Sequence, residues 1–131
     1  KYFNAEVVIC DKQRKRANEI ESMSIIGDVT GRDVVLIDDI CDTARTLAKA
    51  AELIMEKGAS SVRAVCTHPV LSGDAYRTIE TSALTELIVT DTIASTKSSP
   101  KIRVLSTADL FSRAIANVNE HASISELFKI D

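Results

Sequence analysis

Three features of this chain predict an α/β fold, a mostly parallel sheet with flanking helices. Segments rich in Val and Ile alternate with segments of helical period, the pattern of strands joined by crossover helices. An acidic pair follows directly on an apolar run, Val34-Val35-Leu36-Ile37-Asp38-Asp39, which sets carboxylates at the strand end where open α/β sheets bind ligands. The length, 131 residues, suits one domain that buries a core without metal or disulfide support.

The Val- and Ile-rich segments place strands at residues 6–10, 24–27, 33–37, 62–66, 86–90 and 102–105. Val29-Thr30-Gly31-Arg32 joins the second and third closely enough to predict a hairpin, so one antiparallel pair is expected beside the parallel strands. After the third strand, Leu47, Ala51, Ile54 and Met55 fall on one helical face, and Gly58 stands where that helix should stop. A shorter helix is expected at 74–81. A last one is signalled by Leu110, Phe111, Ala114, Ile115 and Val118, with Ser106 as N-cap and Asp109 three residues on. The run from Lys12 to Asn18 and the stretch 96–100 read as surface loops.

Composition narrows the function. Lys and Arg number 16 against 19 Asp and Glu, a net charge of −3, which does not describe a general nucleic-acid binder, so any anion site must be local. No apolar run approaches the roughly 20 residues of a membrane-spanning helix. Cys10, Cys41 and Cys66 sit in or beside apolar runs rather than at metal-ligand spacing, which argues against a zinc site and for a reducing, cytoplasmic setting. Cys10 and Cys66 read as small buried hydrophobes. Lys1-Tyr2-Phe3-Asn4 carries no signal peptide and no initiator Met, so the chain is expected to begin inside a larger protein.

The most informative segment is Asp38-Asp39-Ile40-Cys41-Asp42-Thr43-Ala44-Arg45-Thr46-Leu47. It leaves a strand and enters a helix whose first turn offers unpaired N–H groups and the positive end of the dipole, while Thr43 and Thr46 add hydroxyls. Such a turn can hold a phosphate. The acidic pair would repel a phosphate unless it faces something else, and a vicinal diol supplies two O–H donors to an ionised Asp. The segment therefore reads as a cradle for a phosphorylated ribose. An acidic pair also binds Mg²⁺ in nucleotide hydrolases or forms the acid pocket of receiver domains. The chain lacks the Gly-x-x-x-x-Gly-Lys-Ser/Thr loop of the former and a lone phospho-acceptor Asp at a suitable strand end for the latter.

This segment resembles the phosphoribosyl-pyrophosphate loop, and the chain nearly end to end is similar to the C-terminal half of ribose-phosphate pyrophosphokinases. Asp11 to Glu19 resembles that family's basic flexible loop, Ile26-Gly27-Asp28-Val29 the strand after it, and Cys66-Thr67-His68-Pro69-Val70-Leu71-Ser72-Gly73 the next strand end. Glu86 to Ile93 and the terminal Ser123-Ile124-Ser125-x-Leu127-Phe128 match as well. The resemblance implies a phosphoribosyltransferase-like fold, residues 1–131 forming a single, partial domain. It also implies transfer of the β,γ-diphosphoryl group of Mg-ATP to O1 of ribose 5-phosphate, giving phosphoribosyl pyrophosphate and AMP. Asp38 and Asp39 would hold the ribose hydroxyls, and Asp42, Thr43, Ala44, Arg45 and Thr46 the 5-phosphate. Lys12 and Arg14 would be catalytic cations closing over the transferring diphosphate. Mg²⁺ would be needed by the complete enzyme, its ligands largely outside this chain. Ser123 and Ser125 would belong to an allosteric phosphate or ADP site, and the complete enzyme would be a homo-oligomer, a dimer or hexamer.

Two departures matter. Arg45 stands where the family pattern has Gly, so its guanidinium either adds a bond to the phosphate or crowds the loop; impaired binding is expected. The family's adenine pocket, catalytic His and Ser-Pro-Asp loop have no counterpart here, and neither His68 nor His121 matches that His. The chain is therefore expected not to turn over alone. A type I phosphoribosyltransferase would leave Lys12 to Asn18 and the tail unexplained; a non-catalytic regulatory homologue is favoured only by Arg45.

Overall fold

The alternation resolves into two sheets in the computed structural model, which describes residues 5–16, 19–95 and 97–128, with the backbone alone for 12–16, 19–22 and 128. β1 (Ile9–Arg16) and β2 (Glu19–Ile26) form an antiparallel ribbon in which Ile9 faces Ile26 and Arg16 faces Glu19. The second sheet is parallel, in the order β3 (Asp33–Cys41), β4 (Ser61–Pro69), β5 (Glu86–Thr90), β6 (Ile102–Leu105). α1 (Arg45–Glu56) carries the chain from β3 to β4, and α2 (Ala75–Thr81) from β4 to β5. α3 (Ala108–Asn119) and a 3-10 turn (Ser125–Phe128) follow β6.

The core lies between α1, α2 and one face of the parallel sheet. Period-2 alternation buries Val62, Ala64 and Cys66 of β4 and Leu87 and Val89 of β5 on that face, against Leu47, Ala51 and Ile54 of α1 and Ile79 of α2. Met55, predicted on the buried face of α1, is partly exposed at its rim. The helix ends at Gly58 as its sequence requires. Gly58 takes φ +89, its N–H donates to Met55 O at 2.9 Å and the Ala59 N–H to Ile54 O at 3.3 Å, the paired closure of a Schellman motif.

The short antiparallel pair exists, but not where its turn signal pointed. Val29-Thr30-Gly31-Arg32 does turn, with the Arg32 N–H donating to Val29 O at 3.0 Å. Within it the Thr30 N–H donates to Asp28 Oδ1 at 2.9 Å, and two backbone bonds go to the far end of α1: Gly31 N–H to Gly58 O at 2.7 Å and Ser60 N–H to Arg32 O at 2.8 Å. It therefore hands the chain from one sheet to the other instead of folding β2 back on β3. The hairpin is made by β1 and β2, so the segment from Lys12 to Arg16, expected as a loop, is the second half of a strand; Ala17 and Asn18 lie outside the described residues. Cross-strand pairing outweighs the polarity of the run, at the cost of register shifts around Arg14.

Two apolar surfaces have no cover among the described residues. The face of the parallel sheet opposite α1 exposes Val35, Ile37 (76% exposed) and Val65. α3 forms where its periodicity placed it, yet buries none of its residues: Leu110, Phe111, Ile115 and Val118 all face outward.

Candidate functional site

β3 runs beyond its predicted end at Ile37, through the acidic pair to Cys41. Because neighbouring strand residues point to opposite faces, half-buried Asp38 lies on the α1 side and exposed Asp39 on the open side. One oxygen of each is anchored locally, Asp38 Oδ1 accepting the Asp39 N–H at 3.0 Å and Asp39 Oδ1 the Ile40 N–H at 2.8 Å. The other oxygen remains for a ligand. The Cys66 thiol donates to Asp39 O at 3.5 Å, which ties this strand end to β4.

The loop Asp42-Thr43-Ala44 then delivers the chain into α1. Ala44 occupies the N-cap position in a left-handed conformation, φ +60, with its methyl buried, and no side chain caps the helix. Ala is among the poorest N-caps, and Asp and Thr precede it directly, so the missing cap is informative. The Asp42 carboxylate is engaged elsewhere: the Ser72 hydroxyl donates a short hydrogen bond to Asp42 Oδ1, and the Ser72 N–H donates to Asp42 O at 3.0 Å. The N–H groups of Arg45, Thr46 and Leu47 thus sit at the positive end of α1 without a partner among the described residues. Thr43 and Thr46 flank them, both half-buried.

Arg45 is the first residue of α1 and is exposed. The positive φ falls on Ala44, so the Arg45 Cβ meets none of the dihedral conflict that a glycine position would impose. Under the loop the thiols are inert. Burial, with Cys66, Asp38 and Asp42 nearby, pushes the Cys41 thiol up to about 12, and burial likewise raises Cys66. Cys10, read as buried, is half-buried.

The other expected site residues lie apart. Lys12 and Arg14 are on β1, opposite Met23 and Ile20, in the separate antiparallel ribbon, and their side chains lie outside the described residues. Ser123 and Ser125 are exposed beyond α3, where Ser123 Oγ accepts the Ser125 N–H at 3.2 Å and Ser123 O accepts from Asn117 Nδ2 at 2.9 Å.

Sequence reasoning missed two features of this edge. Ser72 is one, although its segment was singled out for other reasons. The second is a hydroxyl cluster across β4 and β5: Thr90 Oγ1 and Thr92 Oγ1 donate to Thr67 O at 2.6 and 2.9 Å, and His68 Nδ1 lies 3.0 Å from Thr92 Oγ1. Thr at the end of a strand is too common a signal to have marked it.

Comparison with known proteins gives this geometry a family. Residues 5–129 match the phosphoribosyl synthetase-associated domain. The ribose-phosphate pyrophosphokinase of Campylobacter jejuni is 51% identical over 128 residues, 98% of this chain and 41% of that protein. That of Wolinella succinogenes is 54% identical over 123 residues, 94% of this chain and 40% of its own length. The crystal structure of phosphoribosylpyrophosphate synthetase from Mycobacterium smegmatis superposes with a TM-score of 0.73 at 37% identity, covering 79% of this chain and 36% of that one. The chain spans about two fifths of the length of the curated relatives it matches. On the match along nearly its whole length, the chain belongs to the phosphoribosyl synthetase-associated domain family, in the stretch it shares with ribose-phosphate pyrophosphokinases.

Proposed function

We propose that this chain carries the ribose 5-phosphate end of a ribose-phosphate diphosphokinase, as a partial phosphoribosyltransferase-like domain from the C-terminal half of a longer enzyme. The observation that carries the reading is the uncapped first turn of α1 directly after an acidic strand end. The N–H groups of Arg45, Thr46 and Leu47, with the Thr43 and Thr46 hydroxyls, bind the 5-phosphate, and the outward oxygens of Asp38 and Asp39 accept the ribose hydroxyls.

In the complete enzyme, O1 of ribose 5-phosphate attacks the β-phosphorus of ATP. The O1–Pβ bond forms, the bond from Pβ to the α,β-bridging oxygen breaks, and AMP leaves with that oxygen while O1 loses its proton. Lys12 and Arg14 neutralise charge on the transferring diphosphate, the main contribution a protein makes to phosphoryl transfer. Mg²⁺ enters as part of the Mg-ATP substrate. Among the described residues no group of three or more His, Cys, Asp or Glu side chains is placed to hold a metal ion.

The thiols of Cys41 and Cys66, neither of them in a disulfide, favour a reducing, cytoplasmic setting. Among the described residues no helix is long and apolar enough to cross a membrane. Homo-oligomerisation and an effector site at Ser123 and Ser125 belong to the same proposal.

The test is a titration of ribose 5-phosphate into the isotope-labelled chain. Saturable shifts confined to the backbone amides of 43–47 are expected, with no AMP release when ATP is added. Unmoved amides at millimolar ligand sink the cradle, and steady AMP release sinks the assignment of a partial enzyme.

A further inference from the structure

An anion site built from backbone N–H groups has a competitor inside its own chain. Asp42 lies three residues before α1, and an Asp carboxylate readily accepts N–H groups two and three residues ahead of it. That of Ala44 is turned to the Cys41 sulfur, which leaves Arg45, the first N–H of the cradle, with Thr46 next in line. Tethered so closely, it acts at an effective concentration of the order of millimolar or more. A dissolved phosphate then has to displace it. The structure withholds this competitor. Asp42 Oδ1 accepts from the Ser72 hydroxyl, Asp42 O accepts the Ser72 N–H at 3.0 Å, and the preceding residue repeats the stitch, Leu71 N–H to Cys41 O at 3.1 Å.

The geometry of the donor segment is specific. Leu71 adopts φ +48 and Gly73 φ +56, two left-handed residues bracketing Ser72. For Leu that conformation is strained, and the burial of its side chain offsets the cost. The turn after β4 is thereby held where it presents the N–H and hydroxyl of Ser72 to the Asp42 carbonyl and carboxylate together.

We propose that Ser72 is a positioning residue that clasps Asp42 away from the first turn of α1 and so keeps its N–H groups available to the phosphate of the substrate. This rests on the reading of that turn as the 5-phosphate cradle, and it assigns a role to a residue outside the acidic loop. Ser72 itself touches no substrate. When the hydroxyl is lost, Asp42 turns onto the Arg45 and Thr46 N–H groups and fills the cradle from within.

The experiment compares the chain with Ser72→Ala, Ser72→Cys and Ser72→Thr by amide exchange without ligand and by ribose 5-phosphate titration. In Ser72→Ala the Arg45 and Thr46 amides should move downfield and exchange more slowly, and ribose 5-phosphate should bind about tenfold more weakly. Ser72→Cys keeps the volume with only a weak S–H donor and should follow Ala; Ser72→Thr keeps the hydroxyl and should follow the parent. Faster exchange at these amides in Ser72→Ala means that Ser72 merely stiffens the loop, and this overturns the proposal. So does unchanged exchange, with or without unchanged affinity. If the parent chain binds no ribose 5-phosphate, the cradle reading fails, while slower exchange in Ser72→Ala and Ser72→Cys still supports the clasp.

Discussion

Arg45 carries the sharpest question at the scale of a single residue. The sequence argues for impairment, because a side chain stands where close backbone approach is wanted. In the structure Arg45 is an ordinary, exposed first residue of a helix, and among the described residues its guanidinium has no carboxylate partner. A guanidinium on the residue that carries the first of the three N–H groups adds attraction for a phosphate dianion without a dihedral cost. Arg45→Gly should therefore weaken ribose 5-phosphate binding, about threefold to tenfold at low ionic strength, with the difference shrinking as salt is raised. Calorimetric titration at two salt concentrations checks it; tighter binding by the Gly variant would restore the view that the side chain crowds the loop. The left-handed Ala44 just before it was not legible from sequence. Nothing in Asp-Thr-Ala-Arg-Thr says which residue takes the positive φ, since that follows from how Leu71 and Ser72 stitch the loop from another strand end.

Elements were legible in proportion to how locally they are determined. β5 and β6 have the limits that Val and Ile enrichment gave, and α1 is stopped by the glycine that its own C-terminus needs. The hairpin was misplaced because a turn signal reports that the chain bends, not which strand it bends back to, and Gly31 bonds to Gly58 in place of a β2–β3 ladder. The start of α3 shows the same non-local control. Ser106 does accept the Ala108 N–H, at 3.3 Å, but Thr107 is the N-cap residue and the stronger bonds go to Asp91. Asp91 receives the Ser106 hydroxyl at 2.6 Å, the Thr107 N–H at 2.7 Å and the Thr107 hydroxyl at 2.6 Å. These donors hold its carboxyl down at about 2, against an ordinary value of 3.8. A folded-state value below the unfolded one means that the stabilisation is complete above about pH 4 and is lost as pH falls through about 2. The carbon resonance of the Asp91 carboxyl should titrate at that lower value, with the Thr107 amide moving in step. A midpoint near 4 for Asp91 would remove the tether.

The whole molecule is one-sided, and its two faces make opposite predictions. On the α1 side β4 and β5 are packed, with Ile54 and Leu87 buried between helix and strand, while Val104 at the β6 edge stays exposed. On the other side polar and apolar zones are separated. Towards the strand starts, Glu86 lies between Arg63 and Arg103, at 4.0 and 3.6 Å, whereas Val35, Val65 and Ile37 stand bare further along. An apolar strip of this kind, together with the uncovered stripe of α3, is a surface suited to an interaction. Within this chain, then, the open strip should contribute nothing to folding. Ile37→Thr, which keeps β-branching, should leave the unfolding free energy in urea within about 0.5 kcal/mol and should reduce concentration-dependent association in sedimentation experiments. Ile54→Ala on the opposite face should cost about 2–5 kcal/mol. Were Ile37→Thr to cost as much as Ile54→Ala, the strip would already be buried by this chain's own residues. Unchanged stability with unchanged association would mean that the strip is too small to draw a partner, and only the covered face would then define the domain.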